Sequence, residues 1–135
     1  MIHGEVVLGL RWDILYLAVG AVLGAFLRYR ITSENLFFNN LPVSVLIVNV
    51  LGSLVLGVSA TTVARFGFDA RYTLLIGIGF CGALTTMSSF AYETMGLIDV
   101  GSLALAVLDI LLNVGASILA VFAGRAIVLI LLGVW

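Results

Sequence analysis

The chain contains no lysine. Its cations are six arginines, Arg11, Arg28, Arg30, Arg65, Arg71 and Arg125, set against seven carboxylates for a net charge of −1. That balance offers no basic patch and argues against a nucleic-acid partner. A single cysteine, Cys81, excludes an intrachain disulfide. A single histidine, His3, stands at the terminus, which removes a bis-histidine haem anchor and any metal-ligand spacing. No Ser/His/Asp arrangement or phosphate-binding loop is present, so nothing points to an enzyme. Charge of either sign is scarce. Of 135 residues 10% are charged and 63% hydrophobic, with a mean hydropathy of +1.29. A soluble domain of this size needs far more charge to cover its surface.

What is abundant is uninterrupted apolar sequence. Residues 35–64 and 72–92 carry no charge, and each run exceeds the roughly 20 residues that cross a bilayer core. The expectation is an all-α integral membrane protein with a single transmembrane domain over residues 1–135. Its four spans fall at about 12–31, 43–64, 72–95 and 100–124 or longer, placing it as a multi-pass protein of the cell (inner) membrane, in contact with lipid. The apolar run 14–27 ends at Arg28 and Arg30 and is read as a retained first span rather than a secretory signal. A short linker with Glu34, Asn39, Asn40 and the only proline follows. Pro42 suits the first turn of the second helix. RFGFDAR (65–71) is a charged loop, and the apolar tail IVLILLGVW prolongs the last helix.

With a cytoplasmic N-terminus, Arg11, Arg65, Arg71 and Arg125 lie inside and Arg28 and Arg30 outside. Arginine excess inside orients membrane helices, and four against two is a weak bias. A chain so poorly biased can insert both ways and assemble as an antiparallel pair, the alternative being one fixed topology. Four short helices leave little room for a solute pathway, which favours an oligomer.

Three polar clusters interrupt the spans. On the second, VNVLGSLVLG places Asn49, Gly52, Ser53 and Gly57 on one small, polar face suited to close helix approach. On the fourth, Asp109, Asn113 and Ser117 recur at every fourth residue and share a face. Asp109 lies only some ten residues into its span, where it either marks a functional site or sits in a wet vestibule. The third cluster is GFCGALTTMSSFAYE, residues 79–93. Gly77, Gly79 and Gly82 weaken a helix, and Thr85, Thr86, Ser88 and Ser89 can satisfy the backbone groups that a break frees. The third helix is therefore expected to be broken near its middle, around 82–86, with backbone groups available to an ion.

These residues resemble the Fluc (CrcB) fluoride channels. The likeness covers all four spans and rests on GAVLGAFLRY (20–29), VNVLGSLVLG (48–57) and GFCGALTTMSSFAYE (79–93). It implies an antiparallel, dual-topology homodimer with two pores along the subunit interface, through which fluoride leaves the cytoplasm passively. In such cells fluoride enters as neutral hydrogen fluoride, dissociates and is trapped as the anion. Carried over by position, Asn49 would bind fluoride in the pore and Phe90 would present its ring edge. Arg28 would lie near the aqueous vestibule and raise the local anion concentration. Ser88, Thr86 and Glu93 also match the segment, and Asn113 and Ser117 would extend a polar track. The carbonyls of Gly82 and Thr85, two from each subunit, would hold a structural sodium ion (Na+) at the dimer centre.

The chain departs from the family pattern at three places. Met87 occupies the first of two pore aromatic positions, Val45 replaces a common threonine, and Asp109 replaces a neutral, often aromatic residue. A heterodimer, in which a partner carries the complementary aromatic, is the alternative to the homodimer. Two other functional readings remain. One is a small dual-topology proton-coupled exporter of cationic compounds, using Asp109 or Glu93. The other is a non-transporting scaffold.

Overall fold

The computed structural model describes residues 2–34 and 36–133, with side-chain surroundings from residue 10 onward. The last two residues of the apolar tail lie outside the described residues. Helix α1 (Ile2–Ser33) is followed by a two-strand hairpin of β1 (Phe37–Phe38) and β2 (Leu41–Pro42), then by α2 (Ser44–Phe66). A single turn, α3 (Ala70–Tyr72), leads into a wide π-helical segment at Thr73–Cys81 and a further turn, α4 (Gly82–Leu84). Helices α5 (Met87–Asp99) and α6 (Leu103–Leu131) complete the described chain. Four stretches are long and apolar enough to cross a membrane: Leu10–Ser33, Ser44–Phe66, Ala70–Asp99 and Leu103–Leu131.

Local chemistry explains the connections. Asn39 and Asn40 both adopt positive φ, 49° and 66°, a conformation asparagine tolerates and a two-residue hairpin turn requires. The linker is therefore a hairpin. Pro42 pairs with Phe37 in β2 rather than opening the second helix, a correction to the sequence expectation. Ser44 ties the linker to α2: its hydroxyl donates to the Glu34 carbonyl at 2.7 Å and accepts from Leu36 N–H at 3.1 Å. Gly67, at φ 65°, closes α2 with its N–H on the Val63 carbonyl, a left-handed cap that glycine provides without steric cost.

Two tight seams hold the helices together. α1 packs on the π-helical segment, and α2 packs on α6. In the first seam, a Cβ on Gly20 would collide with the Leu75 carbonyl and one on Gly24 with the Phe80 carbonyl. In the second, Gly57 faces the Val121 backbone and Gly124 the Leu54 carbonyl with equally little room. Small residues give membrane helices close packing where no hydrophobic force separates helix from lipid.

The helical path of the third span changes character along its length. After the π-helical segment and α4, Thr85 (φ −77°, ψ 152°) and Thr86 (φ −150°, ψ 116°) are extended, and α5 starts at Met87. Thr86 is its N-cap, with Oγ1 accepting the Ser89 N–H at 3.2 Å, a contribution of about 1 kcal/mol. The glycines sit upstream of this pair, two in the π-helical segment and one in α4.

Candidate functional site

The extended pair needs partners for its backbone, because no water reaches such groups in a bilayer core. Asn49 on α2 supplies them. Its Oδ1 accepts the Thr86 N–H at 2.8 Å, and its Nδ2 donates to the Thr86 carbonyl at 3.3 Å. The same Nδ2 donates to Asn113 Oδ1 at 2.9 Å. Asn113 in turn donates from Nδ2 to Asp109 Oδ1 at 2.8 Å and to the Asp109 carbonyl at 3.2 Å. Thr94 completes the chain by donating to Asp109 Oδ2 at 2.7 Å. At the other end the Thr86 hydroxyl meets those of Ser89 and Ser88, at 3.1 and 3.3 Å. A continuous polar chain thus runs from Asp109 to Ser88 across α6, α2 and α5.

In front of this chain lies an open groove of about 410 Å³. Asn49, Asn113 and Ser117 form its polar wall, and Met87 and Phe90 line the α5 side. Gly82 and Thr85 border it from the extended turn, and Gly52 gives room to the Thr85 methyl, which a Cβ there would meet at 2.5 Å. Phe90 is buried, whereas Met87 is 71% exposed and projects from the surface. The Ser117 hydroxyl is buried without a hydrogen-bond partner. A donor left unpaired beside a groove costs stability and is available to a ligand.

Of the residues expected at the site, Asn49, Met87, Phe90, Asn113, Ser117, Gly82 and Thr85 meet at this groove. Thr86 is buried behind it, and Ser88 is exposed beyond it. Arg28 stands on the α1 side, where Nη1 gives the Thr85 carbonyl a long bond of 3.4 Å. Glu93 borders a second groove, about 360 Å³, together with Thr32, Asn40, Ser44 and Tyr92. Its Oε2 is buried with no hydrogen-bond partner. Asp109 does not sit in a wet vestibule. It is 1% exposed, because Thr94 and Asn113 cover both carboxylate oxygens. Thr94 was not singled out from the sequence, although it follows Thr86 and Phe90 at four-residue spacing on one face of α5.

The turn also suits a small cation. The Thr86 N–H goes to Asn49 rather than to the carbonyl four residues back, so Gly82 loses its usual intrahelical donor. A Cβ on Gly82 would meet nothing within 4 Å. Among the described residues no three His, Cys, Asp or Glu side chains cluster, so a cation here would rest on neutral backbone oxygens. Gly82 and Thr85 would provide that donor set, the Thr85 oxygen exchanging its long bond to Arg28 for the ion.

Residues 15–125 match the family profile described as CrcB-like protein, Camphor Resistance (CrcB). The chain belongs to the CrcB family. A relative in Nitrosopumilus maritimus, named a fluoride-specific ion channel FluC, is 45% identical over 115 residues, covering 85% of this chain and 91% of the relative. A protein of the same name in Methanocaldococcus jannaschii is 41% identical over 117 residues, covering 87% and 94%. A third, from Shewanella pealeana, is 37% identical over 118 residues, covering 86% and 95%. This CrcB protein, with its four apolar helices, is a multi-pass membrane protein, and the archaeal and bacterial relatives are consistent with the cell membrane as its location.

Proposed function

We propose that this chain is a fluoride-selective ion channel that lets fluoride leave the cytoplasm passively, through two pores at the interface of an antiparallel dimer. The observation that carries the reading is the groove wall. Neutral donors on Asn49 and Ser117 stand beside the Phe90 ring, with the Asn113 amide in the same wall, and no cationic side chain lines it to trap an anion. The names of the relatives support fluoride as the ion. Fluoride is small and strongly hydrated, so a narrow path must replace its water with donors that also release it.

Within that reading each residue has a task. Ser117 turns its unpartnered hydroxyl to the ion, and Asn49 yields one Nδ2 hydrogen. Phe90 offers a positive ring edge. Met87 offers a polarisable thioether in place of a second ring. Arg28 and Glu93 act away from this wall, one near the extended turn and one at the second groove. A second copy covers the open side of the groove, and the Gly82 and Thr85 carbonyls of both copies would hold a sodium ion, whose positive charge would fix the two turns against each other.

A proton-coupled exporter needs a carboxylate facing its cavity. Asp109 is enclosed by Thr94 and Asn113, Glu93 borders the second groove and not this one, and none of the named relatives favours that reading. The deciding experiment is fluoride-electrode recording of efflux from liposomes holding purified protein, with no proton gradient. Rapid release beyond that of empty vesicles is expected. Fluoride-tight vesicles, or release only under a proton gradient, reject the channel.

A further inference from the structure

We propose that Asp109 is a positioning residue. It sets the direction in which the Asn113 and Asn49 amides point, and so keeps the Asn49 donor shared instead of fully committed to an anion. This rests on the channel reading for its functional consequence but not for its geometry. The chain of amides has a polarity, since each carboxamide offers an oxygen on one side and two hydrogens on the other. At one end the carboxylate and carbonyl oxygens of Asp109 both accept from Asn113 Nδ2. Asn113 must therefore turn its oxygen towards Asn49. Asn49 answers with its nitrogen at 2.9 Å, which leaves Oδ1 for the Thr86 N–H, a group that can only donate. An acceptor at one end and a donor at the other thus specify every amide between them.

The consequence concerns how firmly an anion is held. With Asn113 Oδ1 in place, an anion in the groove competes with a fixed acceptor for the Asn49 hydrogen. If Asn113 turned over, two NH2 groups would face each other, and an anion between them would be gripped by both. Asp109 prevents that arrangement. Thr94 holds the carboxylate from its other oxygen, so its rotamer is set from outside the groove.

Asp109→Asn can donate as well as accept and so weakens the instruction without changing shape, leaving the longer 3.2 Å bond to the backbone carbonyl as the one fixed acceptor. Fluoride half-saturation and maximal flux are to be measured in liposomes for the native chain, Asp109→Asn, Asn113→Ala and the double variant. In the Asp109→Asn chain half-saturation is expected to fall roughly five- to tenfold, as one shared hydrogen bond implies, with a lower maximal flux. In the Asn113→Ala background the same change should have no further effect, because the amide it directs is gone. An equal shift in both backgrounds means that Asp109 acts by charge alone, and no shift in either means that it does not act at all. Both results overturn the proposal. Asp109→Leu serves if the asparagine variant does not assemble. Asparagine-selective nitrogen-15 labelling gives a readout independent of transport: the Asn49 side-chain amide signals should move in Asp109→Asn. If they stay in place the positioning role is lost, whether or not the native protein conducts.

Discussion

Asn49 makes three hydrogen bonds with two polar atoms, and that double duty determines what its substitutions should do. Asn49→Ala removes the proposed pore donor and also orphans the Thr86 N–H and the Asn113 oxygen. An orphaned buried group costs about 1–3 kcal/mol, so loss of flux in that variant is ambiguous. Asn49→Asp, as the carboxylate, keeps an acceptor for Thr86 while removing every donor, and it shares with the alanine variant only the unpaired Asn113 oxygen. Assembly by size-exclusion chromatography should persist, and fluoride efflux should fall at least about tenfold, the effect of losing one charge-assisted bond. Near-native efflux would remove Asn49 from the pathway. Ser117→Ala has the opposite balance. Its hydroxyl is unpaired among the described residues, so thermal stability should hold or rise by up to about 1 kcal/mol, while efflux slows. Unchanged efflux would mean that no ion uses that hydroxyl. Met87 is exposed within the chain, so Met87→Phe meets no internal clash. It should preserve or raise flux, and collapse of the assembled protein would reveal a neighbouring surface shaped to methionine.

At the scale of elements, glycines separate into those that seat a neighbouring backbone and those that seat nothing. Gly124 packs against Leu54 and Val58 of α2, whereas Gly115 on the same helix has no atom within 4 Å of an added Cβ. Gly124→Ala should therefore cost about 1–3 kcal/mol, the usual penalty of overpacking, and Gly115→Ala should be neutral or mildly stabilising. Thermal melting of detergent-solubilised protein measures both, and equal melting would dissolve the close-seam account. The elements also divide by how they can be read. The four spans follow from unbroken hydropathy. The hairpin at Asn39–Asn40 reads as a plain linker in the sequence, since two-residue strands carry no periodic signal. The π-helical segment Thr73–Cys81 is equally silent in the sequence. It lies against Gly20 and Gly24 of α1, a contact that local propensity does not encode.

At the scale of the whole molecule, the chain cannot be complete in water. Only 11–28% of the residues in each span are buried within it, and Leu119, Phe122 and Leu131 are exposed along α6. Such surface must meet lipid or protein. The groove edge at Gly82 and Thr85 is where the proposed second copy and its sodium would sit. Replacing sodium with a large organic cation throughout purification should therefore slow efflux, with recovery on adding sodium back. Flux indifferent to sodium would leave those carbonyls without a cation role.

Composition and residue order alone determined that this chain lives in a membrane, where its four spans lie, and which three short segments carry polar groups into them. Hydropathy is a local sum and needs no fold. The sequence also placed Asn49, Asn113 and Ser117 as candidates, because polar groups at fixed spacing in an apolar run demand a reason, and the family resemblance added Phe90. Only the tertiary structure decided that Asn49 staples Thr86 from 37 residues away and meets Asn113 across 64. It likewise decided that Asp109 is enclosed rather than wet, and that Glu93 faces a different groove. Hydrogen bonds between separate helices depend on how those helices are rotated about their axes. That rotation is set by glycine seams acting together, and no single stretch of sequence contains it.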